Sequence, residues 1–182
     1  MDRNTFIKIR CFFMLNARKR TKYLIKKKVF RGVGENFVFF PRKIPQDPQF
    51  ILFHNNDVIA TDVMFINHDI IHEMFNHREK ETSKYLKEWG VIEIKDNVFI
   101  GARSLIMPGV ILGPDVVVAA GSVVTKSFGE GVIIGGNPAK VIGQIDDLKK
   151  KRIVEANQRA WTEYDKKREA DRAWRLFEMK DE

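Results

Sequence analysis

Six aliphatic residues, Ile94, Ile100, Ile106, Leu112, Val118 and Val124, recur at every sixth position without a slip. An α-helix repeats about every 3.6 residues and an alternating strand about every two, so neither produces this spacing. Four places further on, a second column of Val98, Ser104, Val110, Val116, Ser122 and Phe128 mixes small and apolar side chains in the same phase. Gly101, Gly113 and Ala119 directly follow the first column. Asp96-Asn97 and Gly113-Pro114-Asp115 place residues that tolerate unusual backbone angles where tight turns are needed. Two columns and the turn residues agree on one phase, which argues against a chance pattern in a buried α/β core. The period predicts a parallel β-helix, in which each block supplies a short strand and a turn and three blocks close one coil.

Residues 94–111 and 112–129 then form consecutive coils, with Ile94 stacked on Leu112, Ile100 on Val118 and Ile106 on Val124 to bury a continuous core. The same phase exposes weaker copies upstream. Phe53–Val58, Ile59–Met64 and Phe65–Ile70 make another coil, although His54 stands where glycine is usual. Val33–Val38 and Phe39–Ile44 read as a first coil, and Pro45-Gln46-Asp47-Pro48 breaks the register as an insertion. Between Ile70 and Ile94 the period disappears into a polar, charged stretch, a loop leaving the prism that begins two residues after His68. Long excursions from a solenoid usually gather on its binding face, which draws attention to that histidine.

Composition bounds the rest. A chain of 182 residues with 44% hydrophobic and 31% charged residues can bury one ordinary globular core. The apolar run Cys11-Phe12-Phe13-Met14-Leu15 is too short for a signal peptide or a bilayer span. A single cysteine, Cys11, excludes an internal disulfide framework and fits a reducing cytoplasm.

The net charge of +8 is unevenly spread: residues 1–31 hold eleven Lys or Arg against Asp2 alone, leaving the remainder slightly acidic. That basic arm mixes apolar and cationic residues as a membrane-surface helix does, and equally as a helix capping the solenoid with solvated lysines. No aromatic-studded basic groove accompanies it, so a nucleic-acid partner is not expected. From Asp146 to Glu182 the period becomes helical: Asp146 and Asp147 suit a helix start, and Ile153, Ala156, Ala160 and Tyr164 follow on one face. The organisation expected is an arm or cap at 1–31, a repeat body at 32–145 with its loop at 70–93, and a C-terminal helix at 146–182 covering the open end.

The run from Ile94 to Ile142 contains Gly101-Ala102-Arg103-Ser104, Ala119-Ala120-Gly121-Ser122-Val123-Val124-Thr125-Lys126 and Gly136-Asn137-Pro138-Ala139-Lys140-Val141-Ile142. With Ile66-Asn67-His68-Asp69 upstream, it closely resembles the hexapeptide-repeat acyltransferases, over about residues 32–145. Within them it looks most like the bacterial O-acetyltransferases of surface-polysaccharide clusters and their galactoside, maltose and xenobiotic relatives. The resemblance implies a mainly β chain folded as a left-handed parallel β-helix with helical N- and C-terminal appendages. It also implies a homotrimer with active sites between neighbouring prisms, acetyl-CoA as co-substrate, a saccharide acceptor and no required metal.

The same resemblance makes His68 the general base, with Asn67 and Asp69 as acceptor-binding or orienting neighbours. It puts Ala102 and Ala120 along the pantetheine arm, Thr125 and Lys126 near the adenosine end, and Lys140 against a phosphate. Imidazole is suited to the role, because a sugar hydroxyl is a poor nucleophile near neutral pH until a base takes its proton. Phe75, Tyr85 and Trp89 in the loop are candidates to stack on a sugar, or simply to pin the loop. His72 and His77 are five apart, but the third histidine of a γ-type carbonic anhydrase site has no counterpart at a matching distance. Two alternatives stay open: a sugar-nucleotide or xenobiotic N- or O-acetyltransferase, and a non-catalytic scaffold. The expectation is a cytoplasmic enzyme of polysaccharide biosynthesis, peripheral to the inner membrane if the arm binds lipid.

Overall fold

A computed structural model describes residues 3–80, 82, 84–157 and 166–179. The chain divides into two compact units, residues 1–146 and 147–182. The first opens with helices α1 (Arg3–Phe13) and α2 (Ala17–Lys26) and continues through β1 (Gly32–Val33), β2 (Val38–Phe39), β3 (Ile51–Phe53), β4 (Val58–Ile59) and β5 (Met64–Phe65). Helix α3 (Ile71–Glu79) follows, then β6 (Ile92–Ile94), β7 (Phe99–Ile100), β8 (Leu105–Ile106), β9 (Ile111–Leu112), β10 (Val117–Val118), β11 (Val123–Val124), β12 (Val132–Gly136) and β13 (Ala139–Gln144). Helix α4 (Ile145–Asn157) crosses into the second unit, which also contains α5 (Lys166–Glu178).

The strands lie on three faces visited in rotation. The first face has the order β1-β3-β6-β9, the second β2-β4-β7-β10-β12-β13, and the third β5-β8-β11. Every pairing is parallel except the terminal β12–β13 hairpin. The register matches the six-residue columns: Ile94 opposes Leu112, Ile100 opposes Val118 and Ile106 opposes Val124. Upstream, Phe53 opposes Ile94, Ile59 opposes Ile100 and Phe65 opposes Ile106. Val33 and Phe39 extend two of these columns into the first coil. All six residues of the regular column are fully buried, each contributing roughly 1.5–3 kcal/mol by leaving water.

Corners are turned by residues in the left-handed region. On one corner Asn36, Asn56, Asn97 and Asp115 all have φ between 54° and 63°. Asparagine and aspartate pay less than other L-residues for this conformation. The first three also form a ladder, Asn36 Nδ2 donating to Asn56 Oδ1 at 2.9 Å and Asn56 Nδ2 to Asn97 Oδ1 at 2.8 Å. Gly101 follows a buried column residue so closely that a Cβ there would lie 2.5 Å from Ala120 N.

One buried column contains an ionisable side chain. Asp57 sits where the neighbouring coils place Val98 and Val116, and is completely buried. Its carboxylate accepts from Val98 N at 3.0 Å and from His54 N at 3.1 Å. Burial nevertheless pushes its pKa up to about 7, against those two hydrogen bonds.

Helices α1 and α2 fold onto the first coil. Asn16 caps α2, its side chain accepting from Lys19 N at 3.0 Å. Leu24 enters the core, and Thr21 Oγ1 accepts from Phe39 N at 2.9 Å. Buried Arg20 donates to Met14 O and to Phe40 O, tying the helix pair to the chain just before the insertion. Ile7 and Cys11, four apart on α1, are buried, and burial raises the Cys11 thiol to about 11, so it stays protonated.

The stretch between Ile70 and Ile94, polar and without the repeat, is not plain loop: its first part is α3, ended by Lys80 in the left-handed region at φ 57°. Helix formers such as Glu73, Met74, Arg78 and Glu79 sustain it without any six-residue pattern. In the C-terminal segment Ile153 and Ala156 lie in α4, whereas Ala160 and Tyr164 lie outside the described residues. Among the described residues no helix is long and apolar enough to cross a membrane.

Candidate active site

The third-face strands end at the corner that leads back to the first face. After β5 this corner is occupied by Asn67, His68 and Asp69, where the chain departs into α3. The return is clamped at the same place. Gly90 N donates to Asn67 O at 2.6 Å, Asn67 Nδ2 donates to Gly90 O at 3.3 Å, and His68 pairs with Trp89 in an isolated antiparallel bridge. Asn67 is buried and its amide nitrogen is engaged in holding the loop closed. Asp69 is exposed and its Oδ1 accepts from Ile71 N at 2.9 Å, fixing the start of α3.

His68 faces a carboxylate that the sequence reading passed over. Its Nδ1 lies 3.1 Å from Asp47 Oδ2, with both side chains largely buried. The N–H is turned off the line of a hydrogen bond, and neither atom has a hydrogen-bond partner. Asp47 belongs to Pro45-Gln46-Asp47-Pro48, which in sequence is only a break in register. The signal that could have found it is a carboxylate inside an insertion at the corner that, one coil later, carries His68.

Aromatic rings hold the pair in place. Trp89 packs on the imidazole at 4.6 Å between centroids, and its other neighbour is Phe50, stacked at 4.9 Å with 11° between planes. Phe50 ends the helical turn Pro48–Phe50 that follows Asp47, so insertion and loop return grip each other across the histidine. Lys87 Nζ sits 4.2 Å above the Trp89 ring. Phe75 and Tyr85 pack on one another at 5.2 Å within the loop. A cavity of about 280 Å³ opens beside His68, bounded by Asp47, Asn67, Phe65 and Lys43.

The other residues singled out in sequence fall in two groups. Ala102 and Ala120 lie on successive coils at the second-to-third-face corner, where Gly121 N donates to Ala102 O at 2.8 Å. Thr125 and Lys126 follow β11, on the same corner as His68 but two coils away, roughly 10 Å at the usual strand spacing. Lys126 is exposed, its Nζ 5.6 Å from the Phe128 ring centroid. Lys140 is exposed in β13, opposite Gly135 near the hairpin tip, where the Asn137-Pro138 bond is cis. A single chain therefore brings His68, Asn67 and Asp69 together and leaves Ala102 and Ala120 on another corner. His72 and His77 lie on α3, and among the described residues no three His, Cys, Asp or Glu side chains gather as a metal site requires.

A family profile described as the hexapeptide repeat of succinyl-transferase matches residues 91–126. A maltose O-acetyltransferase from Clostridium difficile 630 has a crystal structure that superposes with a TM-score of 0.61 at 26% identity, covering 78% of this chain and 83% of that one. In its repeat and its fold the chain resembles the hexapeptide-repeat acetyltransferases. A galactoside acetyltransferase in complex with coenzyme A gives a TM-score of 0.58 at 26% identity, with 81% and 82% covered. In sequence, the chain is 30% identical over 114 residues to the Bacillus subtilis (strain 168) protein YvoF, an acetyltransferase by name. That match takes in 63% of this chain and 55% of YvoF, so the chain spans about half the length of that relative.

Proposed function

We propose that the chain is an acetyl-CoA-dependent O-acetyltransferase of a saccharide hydroxyl, with His68 as general base. The observation that carries this reading is the Asp47–His68 pair at the mouth of the cavity. A carboxylate at Nδ1 favours the tautomer that keeps its proton there, which leaves Nε2 with a lone pair. As the acceptor hydroxyl oxygen bonds to the thioester carbonyl carbon, its proton passes to Nε2. The carbon–sulfur bond then breaks, and the same proton leaves with the sulfur. No acyl-enzyme is needed, and Cys11, buried and protonated, is placed to form none. Proton transfer of this kind contributes about 10²–10⁴-fold.

The coenzyme assignment rests on the coenzyme A complex of the galactoside acetyltransferase and on the character of the corners here. Small Ala102 and Ala120 leave the backbone edge open to a narrow chain such as pantetheine, and exposed Lys126 and Lys140 suit phosphates. Because Ala102 and Ala120 lie on a different corner from His68, a complete site requires a second copy of the chain, which supports a homotrimer of left-handed prisms. Asn67 acts in this scheme chiefly by fixing the loop, and Asp69 by starting α3. The enzyme is assigned to the cytoplasm, in keeping with its one unpaired cysteine.

Titration calorimetry with acetyl-CoA, paired with His68→Ala, tests the reading. Micromolar binding near one site per chain is expected, kept within a few-fold in the variant while turnover falls at least 10²-fold. Turnover retained by His68→Ala would remove the base assignment, and absence of binding up to millimolar concentration would leave a non-catalytic scaffold.

A further inference from the structure

The cavity beside His68 does not stand alone. It shares Lys43 and Ile44 with a cavity of about 340 Å³ that reaches Ile9, Phe12 and Phe13 of α1. It shares Ile44 and Gln46 with a third, of about 210 Å³, bordered by Lys8, Lys27 and Lys28. Ile44 borders all three, so they adjoin around that side chain as a branched trough between the catalytic corner and the N-terminal helices. Lys8 Nζ donates to Gln46 O at 3.1 Å, which joins α1 directly to the insertion that carries Asp47.

The trough changes character along its length. At His68 its lining is mostly apolar, with Asp47, Asn67 and His68 as polar groups. Beyond Ile44 it branches: Lys8, Arg42 and Lys43 border the branch that reaches Phe12 and Phe13, Lys8, Lys27 and Lys28 border the other, and no carboxylate lines either. At the far end α1 turns Ile7 and Cys11 into the core and exposes Phe6, Ile9 and Phe13, spaced three and four apart on the opposite face, with Phe12 beside them. Phe13 is 74% and Leu15 76% exposed. Large apolar side chains left in water beside a segment of ten net positive charges match an anionic lipid surface, where rings enter the headgroup boundary and lysines meet phosphates.

We infer that the acceptor is a saccharide linked through phosphate to a lipid chain, taken from an anionic membrane surface on which α1 docks. The saccharide lies at His68, the phosphate on the lysine stretch, and the lipid stays in the bilayer under Phe12 and Phe13. This rests on the acetyl-transfer reading for the fate of the saccharide, but its binding half does not depend on turnover.

The full chain is floated with vesicles of phosphatidylcholine, of phosphatidylcholine with phosphatidylglycerol, and of phosphatidylcholine carrying a small fraction of polyprenyl phosphate. The expected result is negligible binding to the first, binding to the second, and at least tenfold tighter binding to the third than to the first. Phe12→Ser combined with Phe13→Ser loses tenfold or more on both anionic vesicles with an unchanged Tm, since both rings are exposed. Vesicles in which the polyprenyl phosphate carries a hexose, unlike phosphatidylglycerol vesicles or inorganic phosphate, protect His68 from diethyl pyrocarbonate, read by mass spectrometry. Binding indifferent to lipid charge or to the double variant overturns the proposal. Equal protection by all three, or none by the hexose-bearing lipid, overturns the lipid-linked acceptor. Failure of the acetyl-transfer reading registers elsewhere, in acetyl-CoA binding and in turnover by His68→Ala, a variant that floats like wild type.

Discussion

Coils 94–129 and the corner around His68 are built on opposite terms. In the coils each residue is set by its counterpart one turn away, as Ile100 is by Ile59 and Val118, so the structure repeats and has no place for chemistry. At the corner three irregular pieces meet: the insertion with Asp47 and Phe50, the coil end with Asn67 and His68, and the loop return with Trp89 and Gly90. Repetition supplies a stiff core, and each departure from it delivers a side chain that the repeat could not. Stability and activity should therefore respond to mutation in different places.

Ile100→Ala tests the coil side. It should cost about 2–5 kcal/mol, measured by denaturant unfolding, because a stacked column leaves a cavity with neighbours fixed above and below. A loss below 1 kcal/mol would mean that the column relaxes and the coils are less rigid than their register suggests. Asp57 tests what one charge does to such a column. Its folded pKa lies above the unfolded value of 3.8, so between about pH 4 and about 7 the native state holds a proton that the unfolded chain has released. Stability is therefore greatest below pH 4 as far as this group is concerned, falls by up to a few kcal/mol as pH rises to about 7, and is level above. Urea midpoints across that range should show the slope, and Asp57→Asn should flatten it.

The corner predicts smaller effects with no loss of fold. Asp47→Asn should lower kcat about tenfold, roughly 1.4 kcal/mol of barrier, and change the pH–rate profile with Tm nearly unchanged. An unchanged profile would make Asp47 a wall of the cavity and nothing more. Phe50→Ala should weaken the clamp on Trp89, raising KM a few-fold with little change in kcat, as steady-state kinetics on an accepted saccharide would reveal.

The contrast also explains which parts were legible in the sequence. The columns were, because one side chain per six residues carries the whole constraint: the spacing alone pairs Ile94 through Val124 with their partners. His68 was legible through its place at a coil end beside the break in period. Asp47 was not, since its closeness to His68 depends on how the insertion folds back, and no repeat reports that path. Helix α3 was hidden for a similar reason: Ile71, Met74 and Phe75 remain exposed or nearly so, leaving no buried face to give a helical rhythm. Trp89 stands in the sequence only as a loop aromatic, because its contacts with Phe50 and His68 come from two segments far apart in the chain.

Asp57 has one more consequence, for assembly of the fold. Equal coils have no origin, and a chain made only of them could close one turn out of step and still bury leucine against valine. Asp57 gives one stretch of its column a polarity that the others lack, a carboxyl group held by Val98 N and His54 N where the counterparts in later coils are valines. The least comfortable residue of the core thus sets its own turn apart from the turns that follow.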